Sequence, residues 1–117
     1  MISVLRSGLV LDPHLVIDLS ADKGDERNGV LAERLTAAFE AARDGAQTLN
    51  EGGCIILAVQ GDEALRAGAT ALVRSLALEW APRRIRVNAV CGEPNAQLIQ
   101  FIACPASRML TGAVIDQ

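Results

Sequence analysis

Cys54 to Val59, CIILAV, is a run without a polar side chain, bounded by Gly52-Gly53 before it and Gln60-Gly61 after it. A strand that alternates apolar and polar residues needs cover on one face only. An unbroken apolar run needs it on both, which is the condition of an internal strand in a parallel sheet. Ile85 to Val90, IRVNAV, is a second run of this kind, and a helical pattern separates the two. Strand, helix, strand in that order predicts a right-handed parallel crossover, with helices packed on the sheet.

The rest of the chain extends this unit. Ser7 to Leu11 and His14 to Leu19 are short β-rich runs parted by the turn-forming pair Asp12-Pro13, and they read as neighbouring strands. Ala21 to Gly29 is polar and reads as a loop that delivers Asn28 as a helix cap. From Val30 to about Leu49, the positions Leu31, Leu35, Ala38, Phe39, Ala42, Ala46 and Leu49 recur at helical spacing. A second helix, capped by Gly61 or Asp62 and stopped by Pro82, carries the stripe Leu65, Ala69, Leu72, Val73, Leu76 and Trp80, with Ala67, Ala71, Leu78 and Ala81 on another face. Asn95 to Ala103 reads as a short helix and Met109 to Ile115 contains a last strand. The expectation is an α/β fold, 1–117 as a single domain, in a Rossmann-like three-layer sandwich with a small, mainly parallel sheet of four to five strands.

Half of the residues are apolar but only 3% are aromatic, so the core has to be close-packed Ala, Val, Leu and Ile. A net charge of -3 and no basic cluster beyond Arg83-Arg84 argue against nucleic acid or an anionic membrane surface as partner. No apolar run approaches the ~20 residues that span a bilayer, and no signal segment opens the sequence, so a cytoplasmic location is expected. Cys54, Cys91 and Cys104 are odd in number, lack CxxC spacing and sit among apolar residues, which suits buried free thiols. His14 reads as a turn residue, Arg83, Arg84 and Arg86 as a solvated rim, and Asp22, Asp25 and Glu26 as polar loop. No metal-ligand pattern is found.

Ala71 to Val90, ALVRSLALEWAPRRIRVNAV, resembles the short-chain dehydrogenase/reductase family, specifically its 3-oxoacyl-carrier-protein reductases. LTAAFEAARDGAQTLNEGGCIILAV is similar to that family's fourth helix and fifth strand, and FIACPASRMLTGAVID to its closing helix and seventh strand. The resemblance runs from about residue 14 to 116 in family order and implies the C-terminal portion of that fold. It implies a nicotinamide cofactor held by a glycine-rich turn, yet no GxGxxG occurs and there is no room upstream of His14 for the elements that carry it. The family's catalytic Tyr position falls on Leu65, its Lys on Ala69, its Asn on Arg34, and its Ser on Val59 or Gln60. The whole sequence contains no Tyr. The substrate-covering segment is compressed to Cys91-Gly92-Glu93-Pro94-Asn95.

Catalytic and cofactor-binding residues are therefore expected to be absent from this chain, with NAD(P) present only if a partner subunit supplies its site. In the family the fourth and fifth helices pack against those of a second subunit. The resemblance thus implies an interface through Leu35, Phe39, Ala42, Ala46, Leu72, Leu76 and Trp80, in a homodimer or a hetero-oligomer with a full-length short-chain reductase. Ser7 to Leu11 is expected to fold back as an added strand on His14 to Leu19 and cover the sheet edge, either within the chain or exchanged between protomers. The function expected is that of a noncatalytic relative acting by association; the alternative is an oxidoreductase subunit completed by another chain.

Overall fold

The computed structural model describes residues 11–21, 28–49, 51–93 and 95–117. In chain order the elements are β1 (His14–Ser20), α1 (Asn28–Leu49), β2 (Cys54–Gln60), α2 (Glu63–Trp80), β3 (Arg86–Cys91), α3 (Ala96–Ala103) and β4 (Val114–Asp116), with single 3-10 turns at Ala81–Arg83 and Pro105–Ser107. The described strands form one sheet in the order β1-β2-β3-β4, and all three pairings are parallel. This is the Rossmann-like α/β sandwich expected, with its layers assigned by strand alternation.

Ile55, Leu57 and Val59 of β2, with Ile17 and Leu19 of β1 and Val87 and Ala89 of β3, face α1 and α2. Cys54 and Ile56 of β2 and Val90 of β3 face the opposite way, onto Ile102 and Ala103 of α3. Every β2 side chain but Gln60 is buried, as the unbroken apolar run demanded. Each such Val, Leu or Ile contributes about 1.5–3 kcal/mol of transfer free energy.

Small side chains bring α1 onto the sheet. Its fully buried positions are Ala38, Ala42 and Ala46, and Leu31, Leu35, Phe39 and Leu49 pack around them with part of their surface exposed. A Cβ on Gly68 of α2 would meet Leu35 Cδ1 at 2.5 Å, so the two helices lie as close as a glycine allows. Gly53 does similar work before β2. Its φ is +88°, and a Cβ there would stand 2.6 Å from the Pro13 carbonyl oxygen, which itself accepts from the Cys54 amide at 2.9 Å.

The last strand, expected within Met109 to Ile115, spans Val114–Asp116, and Met109 is 95% exposed in the turn before it. Two expectations need correction. The first helix starts at Asn28 itself rather than after it. Residues 7–10 of the expected first strand lie outside the described residues. Leu11 is described; it belongs to no strand and packs with the α3-side core, while the Asp12 amide donates to the Ala103 carbonyl at 2.8 Å. Asp22, Asp25 and Glu26 also lie outside the described residues.

Candidate functional site

In an open parallel sheet the loops beyond the carboxyl ends of the strands are where a ligand can meet backbone dipoles and polar side chains together. Here Gln60, Cys91 and Asp116 end β2, β3 and β4 on that edge, and a cavity of about 520 Å³ opens among Val59, Gln60, Gly61, Arg66, Cys91, Gly92, Glu93, Asp116 and Gln117. Asp62 starts α2 beside it by accepting the Leu65 amide at 3.0 Å, as the capping pattern predicts.

The cavity is spanned by an ion pair. Arg66, in the first turns of α2, meets the Asp116 carboxylate with both terminal nitrogens at 2.7 Å, in fork-on-fork geometry. The hydrogen bond to Asp116 is also what raises the Arg66 pKa. The two side chains remain 45% and 61% exposed, so the pair is weak enough to open. Burial pushes the Cys91 thiol up, an effect that Arg66 opposes, and the thiol accordingly stays protonated at neutral pH. Gly92 turns the chain at φ +111°, where its amide donates to the Val59 carbonyl at 2.9 Å.

The positions singled out from sequence separate in space. Leu65 and Ala69 are completely buried under the sheet among the α2-side core residues. Val59 is buried in the same core and Gln60 is exposed, and both border the cavity. Arg34 is exposed on α1 and lines a different hollow, beside Ile17 to Ser20 of β1. Of the residues expected at a subunit interface, Ala42, Ala46, Leu76 and Trp80 are buried within this chain, with at most 7% exposure, and have almost no surface to offer a second subunit. Leu35, Phe39 and Leu72 are only half-buried. The reason is geometric: α1 turns its alanines onto the sheet and α2 its stripe of Leu65, Ala69, Val73, Leu76 and Trp80, so that Leu35, Phe39 and Leu72 stay only partly covered and Ala67, Ala71 and Leu78 face outward.

Two further corrections concern charge. His14 is the exposed first residue of β1, not a turn residue, and its Nδ1 lies 2.9 Å from the Asp12 carbonyl oxygen. Arg86 is no rim residue: it is 7% exposed on β3, its Nη1 donating to the Ile102 and Ser107 carbonyls at 2.8 and 2.9 Å and its Nη2 to Asp12 at 3.3 Å. Arg108 takes the other Asp12 oxygen at 3.0 Å. The Arg108 hydrogen bond is the main reason the Asp12 pKa lies below its ordinary 3.8, against the opposing effect of burial. This network at the amino edge ties the residues before β1 to those after α3.

Sequence reasoning missed both Arg66 with Asp116 and the Asp12 network. One signal was present. Asn88 is a polar residue inside an apolar strand, and a buried amide has to find partners. It does so by donating to the Leu110 carbonyl and accepting from the Ala113 amide, both at 3.0 Å, which draws β4 against β3. Among the described residues no buried side-chain nitrogen or oxygen lacks a hydrogen-bond partner, no group of His, Cys, Asp and Glu is arranged to hold a metal, and no helix is long and apolar enough to cross a membrane.

The model of the short chain dehydrogenase-like proteins matches residues 16–117. None of the curated proteins compared with the chain matches it. Among solved structures, BdcA from E. coli superposes with a TM-score of 0.72 at 24% identity, covering 99% of this chain and 65% of its own. The reductase LugOII, which catalyses keto-reduction in lugdunomycin biosynthesis, gives 0.72 at 24%, covering 97% and 61%. Carveol dehydrogenase from Mycobacterium avium, in complex with NAD, gives 0.68 at 17%, covering 97% and 65%. The chain thus spans less than two thirds of the length of these relatives, and at such identities the likeness establishes the fold.

Proposed function

Because the chain belongs to the short chain dehydrogenase-like family, we propose that it is a noncatalytic member acting by association, with itself or as partner of a full-length reductase. One observation carries this reading. The positions that the resemblance assigns to the proton-donating Tyr and its Lys hold Leu65 and Ala69, both without solvent exposure. A general acid has to reach the substrate with a titratable group, and hydrocarbon sealed in a core cannot. No shift in alignment restores the Tyr, since the sequence has none.

The residues described do not fit a nicotinamide coenzyme by themselves. No glycine-rich strand-to-helix turn for a pyrophosphate is found among them, and at the carboxyl edge Arg66 is already paired with Asp116. The outer ridge of Leu35, Phe39 and Leu72, with Leu78 at 80% exposure, supplies apolar surface for association.

The second reading, an oxidoreductase subunit whose cofactor site another chain completes, draws its support from coverage: the relatives devote the remaining third of their length to structure that these residues do not supply. Titration of NADH and NADPH, followed by cofactor fluorescence, separates the two. The first predicts no binding and no ketone reduction either alone or with a co-purified reductase beyond that reductase's own. The second predicts binding in the complex only. Turnover by the purified chain alone would refute both.

A further inference from the structure

β1 is an edge. Among the described residues it pairs with β2 and with nothing on its other side. Its backbone polarity can be read from its ends: the Pro13 carbonyl accepts from Cys54, and the Ala21 amide donates to Gln60. Since backbone groups alternate sides along a strand, the odd-numbered residues between them point toward β2. The amides and carbonyls of Val16, Asp18 and Ser20 point outward. No proline or lysine interrupts His14–Ser20, and these are the usual devices that keep an edge from pairing.

We infer that this edge is occupied by β1 of a second copy, in antiparallel register about Ile17, so that two four-stranded sheets continue as one. The inference rests on the association reading above and names its surface. A two-fold axis at Ile17 sets Val16 opposite Asp18 and His14 opposite Ser20. Those are the outward-facing residues, so each pair exchanges two main-chain hydrogen bonds, about eight in all. Ile17 then meets Ile17 at the closer, non-hydrogen-bonded position, and Leu15 meets Leu19. This register satisfies the hydrogen bonding, keeps apolar side chains on the helix-covered face and pairs all seven residues of the strand; shifts by two residues keep the same polarity but pair fewer residues, and the shift centred on Asp18 sets two carboxylates face to face. A slip by one residue would satisfy neither.

The helix above the edge has the same symmetry. Gly45 of α1 lies against Leu15, while Val30, Glu33 and Arg34 share the hollow beside Leu19 and Ser20, so α1 runs antiparallel to β1. With rises of about 3.3 Å per strand residue and 1.5 Å per helix residue, the axis at Ile17 falls near the middle of α1, around residue 40. The helix flank overhanging the edge there is Ala37 and Ala41, both exposed. Small side chains permit two copies of α1 to approach over the joined sheet.

The test combines sedimentation over a concentration series with amide hydrogen exchange on the whole chain. Wild type is expected to dimerise, with the amides of Val16, Asp18 and Ser20 gaining protection as dimer forms. Val16→Pro removes an outward amide without touching the β1–β2 ladder, and should weaken the dimer at least tenfold while leaving the far-ultraviolet circular dichroism unchanged. Asp18→Pro should do the same. A dimer indifferent to Val16→Pro, with these amides exchanging freely, would overturn the edge inference and leave association standing through another surface. A monomer whose amides are protected would overturn it by showing that another segment of the chain covers the edge. A monomer with freely exchanging amides would overturn it as well, and association would then stand or fall on recovery of a full-length reductase.

Discussion

Replacing Arg86 by Met keeps most of the side-chain volume and removes the charge from the network at the amino edge. The guanidinium supplies donors to two backbone carbonyls, those of Ile102 and Ser107, and to the Asp12 carboxylate. Each buried acceptor left without a donor costs about 1–3 kcal/mol. Asp12 is not abandoned, because Arg108 still holds it, but its side chain is only 11% exposed and loses one of two compensating charges. The expected loss is about 3–5 kcal/mol, the range for breaking a buried pair from one side. For a domain whose total stability is about 5–15 kcal/mol, that is a large fraction. Urea denaturation followed by circular dichroism measures it, and a double-mutant cycle with Asp12→Asn isolates the Arg86–Asp12 component. Because the carbonyls are untouched by Asp12→Asn, the double variant should recover only part of the loss. A loss below about 1 kcal/mol at unchanged denaturant slope would mean that the carbonyls are satisfied by water and that Arg86 is not structural.

The same network makes stability depend on acid. The folded pKa of Asp12 is below the unfolded one, so its contribution is fully present above the unfolded value and is lost as pH falls through the folded one. The stability difference between wild type and Asp12→Asn should be constant above about pH 5 and shrink below about pH 4, where the unfolded carboxyl protonates; a difference that grows on acidification would contradict the sign. Gly53→Ala forces a Cβ onto the Pro13 carbonyl at positive φ and should cost about 1–3 kcal/mol in the same urea assay, whereas Gly52→Ala, with open space around its Cβ, should cost only the conformational strain. Asp62→Ala removes the cap of α2 and should cost about 1 kcal/mol, with Asp62→Asn recovering most of it. If Asn and Ala destabilise equally, the cap is not what Asp62 contributes.

Periodicity located both long helices and the strands at His14, Cys54 and Arg86, because each of those elements buries enough apolar surface to impose its own repeat on the residue pattern. The strand at Val114 is too short to do so, and the sequence placed it only somewhere within Met109 to Ile115. It forms because Asn88, Gly112 and Thr111 hold its approach through specific hydrogen bonds, and such bonds leave no periodic trace. The candidate site divides in the same way. That Leu65 and Ala69 stand where the resemblance calls for Tyr and Lys is legible from local sequence. That Arg66 reaches Asp116, fifty positions away, is not.

What the sequence determined by itself is thus the list of segments, their kind and their order: apolar runs that require two covered faces, separated by amphipathic helices, admit a parallel sheet and little else. Only the tertiary structure decided which way each helix rolled. Leu31, Leu35 and Ala42 all belong to one stripe in the sequence, yet the sheet takes the alanine wholly and leaves the leucines partly outside. The physical reason is that an apolar stripe gives a helix only an average direction in which to face, while close packing selects individual side chains by size. Which residues remain at the surface to meet another molecule is settled only after that selection.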